Sequence, residues 1–410
     1  MESRYVVPYP RIGSVFGAAE RDVITTLLDN APTLTQGEWR EKFEQRFRHY
    51  AGTKYAVTVT SGTVALALAI HLLDLRPGDE VIATPQTYQA TVQPLLDRDV
   101  RVRFCDVDPV TLNADPADVA RRITARTRAI ILVHYGGLPA AMDEVRALAE
   151  ENDILVLEDC AHALGASRHG RRPGGLGDLG CFSFHSAKNI TTLGEGGMIT
   201  FDRDDWWHRL DRLRSNEVDG DFTERARDGA EPGALRWMRD VGGAYTVDCR
   251  RVRRAGTNAA MSEAAAAFGY VQMGRLPALA ARRRAIATQL NEVLGQRDDV
   301  VPQQTDEPGH AYHFYTFHLT APQPARDELL ARLDAAGVEV QLRYFPLHLR
   351  PEWRMRGCLP GDCPRAEHAW FHTQVNLPCH PGLSDAQVEY LLSIVTAALD
   401  ARPAAVRTGR

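Results

Sequence analysis

A chain of 410 residues is long enough for two domains with a substantial core, and its 25% charged and 44% apolar residues are ordinary for a soluble globular protein. A net charge of −5 with no long single-sign block argues against general nucleic-acid binding, and no apolar run approaches membrane-spanning length. Met1 to Pro10 lacks the apolar core of a signal peptide, and the seven scattered cysteines, closest at Cys358 and Cys363, include no C-x-x-C pair, so free thiols in a reducing cytoplasm and no metal site are expected.

Residues 1–36 are punctuated by proline and glycine around one short helical stretch, Ala18 to Leu28. Glu38 to Tyr50 predicts an amphipathic helix with Phe43, Phe47 and Tyr50 on one face. Tyr55 to Thr60 reads as a strand, followed by Ser61-Gly62-Thr63 and an apolar helix, Val64 to Leu73. Ser61 suits the cap of that helix, whose first amides lack internal partners and can bind an anion; a plain strand–helix turn would look the same. Glu80 to Thr84 is the next strand, and Thr87 to Thr91, with Tyr88, starts the next expected helix. Val100 to Cys105 and Ala129 to His134 are further strands, and Asp143 to Glu151 is a helix. His134 reads as a core histidine.

Two apolar runs of strand length then carry chemistry at their ends. Ile154 to Leu157 leads into Glu158-Asp159-Cys160-Ala161-His162, and Leu179 to Phe184 leads into His185-Ser186-Ala187-Lys188. In open α/β sheets, ligand-binding groups collect beyond the carboxyl ends of strands, so Asp159 and Lys188 are expected at one pocket. An acid and a lysine there suggest pyridoxal 5'-phosphate (PLP). The lysine forms a Schiff base with the aldehyde, and the acid keeps the pyridine nitrogen protonated so the ring can accept electrons.

Met198 to Phe201 closes the sheet, and Asp204 to Ser215 is a helix. Residues 216–256 show no clear periodicity and carry Arg250, Arg251, Arg253 and Arg254, which suit either a solvated surface or an arm crossing to another subunit. Met261 to Arg275 and Leu279 to Leu294 read as two helices, with a domain boundary between residues 275 and 276. Strands are expected near Tyr312 to Leu319 and Val338 to Leu342, and a last helix over Asp385 to Asp400. The expected division is a large domain of residues 1–275, a small α+β domain of residues 276–400 and a frayed tail, 401–410.

The whole stretch from Glu158 to His162, through Gly177-Asp178-Leu179-Gly180-Cys181-Phe182-Ser183-Phe184 and Lys188, to Gly194-Glu195-Gly196-Gly197 resembles the DegT/StrS family of PLP-dependent sugar aminotransferases. That resemblance implies PLP-dependent transferase fold type I: a large domain with a mostly parallel central sheet flanked by helices, and a smaller C-terminal domain. It implies that Gly62, Thr63 and Ser183 hold the cofactor phosphate, that Tyr88 stacks on its ring, and that His162 sits beside its 3′-oxygen. Gly256 to Glu263 resembles the family's G-x-N-x-R-M-S-E, in which the asparagine reaches the partner subunit's phosphate; Asn258 matches it, and Ala260 stands where an arginine is common. A homodimer with shared active sites follows from that likeness.

Tyr344-Phe345-Pro346-Leu347-His348 resembles a Y-x-P-L-H run of members that act on nucleotide-linked keto-sugars. His185, Tyr344 and His348 are the candidate substrate contacts. The expected reaction moves an amine from L-glutamate or L-glutamine to PLP and then to a keto-sugar, in amino-sugar biosynthesis for an antibiotic or a polysaccharide. A free keto-cyclitol is the alternative acceptor. Dehydratases of the family carry histidine in place of the lysine, so Lys188 argues against that chemistry. A non-enzymatic regulator would not need the full set of cofactor residues.

Overall fold

Seven short, apolar runs pair into one sheet in the computed structural model of the chain, which describes residues 4–216, 218–225, 239–241, 244–252, 255–303, 309–320 and 325–401. The strands are β1 (Tyr55–Val59), β2 (Glu80–Ala83), β3 (Arg101–Phe104), β4 (Thr127–Val133), β5 (Leu155–Asp159), β6 (Leu179–Ser183) and β7 (Gly197–Phe201). Their order across the sheet is β1-β7-β6-β5-β4-β2-β3. β2 to β6 pair in parallel, and β7 runs against both β1 and β6. Central strands such as β4 and β5 are buried on both faces, which is why they read as continuous apolar runs rather than alternating ones.

The chain divides into two compact units, one of residues 1–202 and 261–410 and one spanning Arg203–Ala260. In the first, the helix Glu38–Ala51 buries Phe43 and Phe47 and ends at Gly52, whose φ of 74° suits glycine. The helix Gly62–Leu72 starts where Ser61 accepts the Val64 amide. A 32-residue helix, Glu263–Leu294, runs unbroken through Pro277, where two helices were expected. An interior proline costs about 3 kcal/mol. Burial of Met273, Leu276, Leu279 and Ala280 around it offsets that cost, and packing overrides the local signal.

Beyond this helix, a second sheet forms from three strands after the second unit's own, so they are numbered β11 (Val300–Pro302), β12 (Tyr315–Leu319) and β13 (Gln374–Leu377). It shares a core with Ile286, Leu290, Leu333, Leu391 and Val395 from the surrounding helices. The expected strand over Val338 to Leu342 is absent: Val338 makes a single parallel bridge to Val7. The expected helix from Thr87 is replaced by two short turns, Gln89–Thr91 and Gln93–Leu95, because Pro94 donates no amide and the threonine side chains are engaged elsewhere.

The second unit contains the helix Asp204–Arg214 and an antiparallel sheet of β8 (Val218–Arg225), β9 (Arg239–Val241) and β10 (Ala244–Val252), in the order β8-β10-β9. Arg250 and Arg251 fall on β10; Arg253 and Arg254 lie outside the described residues, as does the tail after Ala401. Among the described residues, no helix is long and apolar enough to cross a membrane.

Candidate active site

The carboxyl ends of β1, β4, β5 and β6 open on one cavity of about 850 Å³. Strand alternation sends the two acids of β5 to opposite faces. Glu158 faces away from the cavity and accepts the amides of Gly174 (3.0 Å), Leu176 (2.9 Å) and Gly177 (2.6 Å), bracing the glycine-rich turn before β6. His134 donates from Nε2 to the same carboxylate at 2.9 Å and accepts the Ala140 amide at Nδ1, so it is the satisfied core histidine that its sequence context predicts. Asp159 faces the cavity. Its Oδ1 accepts the Ala161 amide at 3.0 Å, and its Oδ2 accepts the Thr91 hydroxyl at 2.7 Å, with Thr87 Oγ1 2.7 Å beyond.

Lys188 lines the same cavity. Its surroundings lower the amine from its ordinary 10.5 to about 8: burial favours the neutral form, and the opposing pull of Asp159 only partly restores the charge. The whole sequence contains three lysines. Lys42 pairs with Glu38 at 2.9 Å and Lys54 lies over Tyr55, so Lys188 is the lysine available to this cavity.

Gly62, Thr63 and Ser183 meet at one wall. A Cβ on Gly62 would fall 2.6 Å from Ser183 Cβ, so only glycine lets the helix start approach β6 this closely. The amides that open the helix have no acceptor within it. Tyr88, 55% exposed, presents its ring to the cavity and meets Tyr344 edge-on at 6.2 Å. His162 is buried, with Nε2 3.0 Å from the Tyr344 hydroxyl and its ring stacked on His313 at 4.5 Å. Burial, and then the charge of Lys188, hold His162 well below its ordinary value, so the ring is neutral. His162 Nδ1 has no protein partner among the described residues.

His185 is exposed at the cavity, with Nε2 3.9 Å from Glu195. His348 is elsewhere: it is fully buried, does not line the cavity, and bonds Glu367 at 2.8 Å through Nε2. Asn258 belongs to the second unit, where its backbone bridges Ser215. Three features of the site escaped the sequence: Thr91, buried behind Asp159, and His313 and Arg343 on the cavity wall. A Thr-x-x-x-Thr spacing after a strand was a usable sign of the first. Nothing in the chain distinguishes a cavity histidine or arginine from a core or surface one.

A profile of the DegT/DnrJ/EryC1/StrS aminotransferase family matches residues 16–396. The chain belongs to this family. It is 33% identical over 91% of its length, and 92% of the relative's, to the dTDP-4-dehydro-2,3,6-trideoxy-D-glucose 4-aminotransferase of Saccharopolyspora spinosa. It is 32% identical to the GDP-perosamine synthase of Caulobacter vibrioides, covering 91% of this chain and 94% of that one. Among solved structures, the aminotransferase TlmJ from Streptoalloteichus hindustanus superposes with a TM-score of 0.83 at 30% identity, over 96% of this chain and 99% of the other. The protein is therefore a PLP-dependent aminotransferase of the type I fold. The cavity's own residues fit that cofactor: a lysine lowered to about 8, a buried acid, a helix start pressed against a serine, an exposed aromatic ring, and an imidazole nitrogen with no protein partner among the described residues.

Proposed function

We propose that the enzyme transfers an amino group from L-glutamate or L-glutamine to a nucleotide-linked keto-sugar. The observation that carries the chemistry is the cavity pairing of Lys188, lowered to about 8, with the buried carboxylate of Asp159. The substrate class draws support from the named activities of the relatives, two of which concern dTDP- and GDP-linked sugars.

When bound, PLP supplies an aldehyde that takes amines and a ring that accepts electrons from the substrate carbon. Lys188 is then the residue that would hold the cofactor covalently, and its amine, about half neutral near pH 8, is suited to accept and return the proton of the substrate carbon. Asp159, held by Thr91 and Ala161, would keep the ring nitrogen protonated. Gly62, Thr63 and Ser183 would take the phosphate, Tyr88 the ring face, and His162 Nδ1 the cofactor's phenolic oxygen. Asn258 would complete the phosphate site of the partner subunit in a homodimer. His185 and Tyr344 remain the proposed substrate contacts, whereas His348, buried and bonded to Glu367, is given a bracing role there.

Loading the enzyme with pyridoxamine 5'-phosphate and offering keto compounds tests the acceptor. Return of the PLP absorbance with a nucleotide keto-sugar, such as a dTDP-4-keto-6-deoxyhexose, is the expected result. A response to scyllo-inosose with none to any nucleotide sugar would replace that reading with a free cyclitol.

A further inference from the structure

The imidazole of His162 is held tightly, yet one of its nitrogens is left over. Nδ1 is buried and has no partner among the described residues. Nε2 lies 3.0 Å from the Tyr344 hydroxyl, and the two rings are parallel to within 6°. His313 stacks on the imidazole at 4.5 Å, and Phe314 meets it edge-on at 5.4 Å.

A hydroxyl and an imidazole nitrogen can share a hydrogen bond in either direction, and the neighbours decide which. Arg343 Nη1 lies 3.5 Å from the same hydroxyl and, having only N–H groups, donates to it and never accepts. Asp159 and Tyr88 also face Tyr344, but Asp159 is bonded to Thr91 and Ala161, and Tyr88 meets it ring to ring. His313 donates elsewhere: Asn189 gives its amide hydrogen to the Leu164 carbonyl at 2.8 Å, which turns its Oδ1 to accept from His313 Nδ1 at 3.0 Å. Among the described residues, the acceptor left for the Tyr344 proton is His162 Nε2. A nitrogen that accepts carries no proton. Burial, then Lys188, Arg343 and His134, all disfavour the charged ring, so the single proton of neutral His162 belongs on Nδ1.

We infer that Tyr344 is a positioning residue, whose hydroxyl proton on Nε2 fixes the His162 proton on Nδ1, where it serves the cofactor's phenolic oxygen. This rests on the reading that His162 Nδ1 faces that oxygen. An N–H held there favours the oxygen's ionised form. Without the tyrosine hydroxyl, the imidazole is free to carry its proton on either nitrogen, and a bare Nδ1 offers the oxygen a lone pair in place of a donor. The role is separate from any substrate contact of Tyr344, because it operates with no substrate bound.

Two measurements test this. In apoenzyme labelled with ¹⁵N-histidine, the His162 signals, identified by their loss in His162→Gln, report which nitrogen bears the proton. Wild type should show it on Nδ1, and Tyr344→Phe should show it shared or moved to Nε2. In the PLP-loaded enzyme, visible absorbance titrated against pH reads how tightly the cofactor holds its own proton. Losing a donor to the phenolic oxygen should raise that midpoint in Tyr344→Phe by about one pH unit, the scale of one hydrogen bond. His162→Gln is the control, because a side-chain amide offers an N–H with no choice of tautomer. In that background, adding Tyr344→Phe should leave the midpoint where it is. Melting temperature establishes that each variant is folded.

A wild-type proton on Nε2 would overturn the inference. So would an unmoved midpoint in Tyr344→Phe, or an equal shift in both backgrounds, which would mean that Tyr344 acts without His162. If the wild-type His162 signals ignore loading with PLP, the placement of His162 at the phenolic oxygen falls and takes the inference with it. The apoenzyme tautomer, read with no cofactor present, separates that failure from the first.

Discussion

Asp159 acts on the amine of Lys188, and a pH profile reads that influence. Burial lowers the Lys188 amine to about 8, and the Asp159 charge opposes the shift. The neutral amine is the form that attacks an aldehyde. Capture of added PLP by the apoenzyme should therefore speed up as pH rises and level off above about 8, rather than above the ordinary 10.5. Asp159→Asn removes the group that raises the lysine's value, so its inflection should move to lower pH. Stopped-flow absorbance at a series of pH values measures both; an inflection that stays put in Asp159→Asn would show that the two groups are not coupled. The same variant should slow both half-reactions, because an amide cannot pair ionically with a protonated ring nitrogen.

At the scale of elements, the end of β5 splits two tasks between adjacent acids. Glu158 ties down the turn at Gly174 to Gly177, and Asp159 serves the cavity. Glu158→Ala would leave two buried amides and one part-buried amide without an acceptor, the buried ones each worth about 1–3 kcal/mol, so a large fall in the denaturant midpoint is expected. The helix start at Gly62 makes a sharper prediction. Gly62→Ala puts a methyl 2.6 Å from Ser183 Cβ, and forcing that contact costs about 1–3 kcal/mol. PLP retention should drop about tenfold or more; undiminished retention with unchanged melting would show that the turn is not a phosphate cradle. Asp159 and the helix start at Gly62 were legible in sequence because each lies at a strand end with a distinctive neighbour, an acid after an apolar run or a capping serine before a glycine; the bracing by Glu158 was not, since the amides it accepts lie 16 to 19 residues away. The unbroken helix through Pro277 and the missing strand at Val338 were not, since tertiary packing decides the first and the lack of a pairing partner the second.

Across the whole molecule, sequence separation limited what could be read. His313 and Arg343 join residues near position 160 only through folding, and no local pattern marks them. The proposed dimer is a statement at this scale too. If Asn258 serves the partner subunit's cofactor, mixing inactive Lys188→Ala with an impaired Asn258 variant creates hybrids in which one site of two is intact. Random mixing makes half the dimers hybrids, so activity should recover to about a quarter of wild type. Fully mixed dimers with no recovery would show that Asn258 acts within its own chain or not at all.

The most direct measurement is to locate the cofactor on the chain. Borohydride reduction of the PLP-loaded enzyme, followed by digestion and mass spectrometry, has three lysines to choose from, Lys42, Lys54 and Lys188. The expected result is a single pyridoxyl group on Lys188, absent from Lys188→Ala, which should also lose multiple turnover by at least about 10²- to 10⁴-fold. A pyridoxyl group on Lys42 or Lys54, or near-normal turnover by Lys188→Ala, would contradict the assignment of this cavity as the active site.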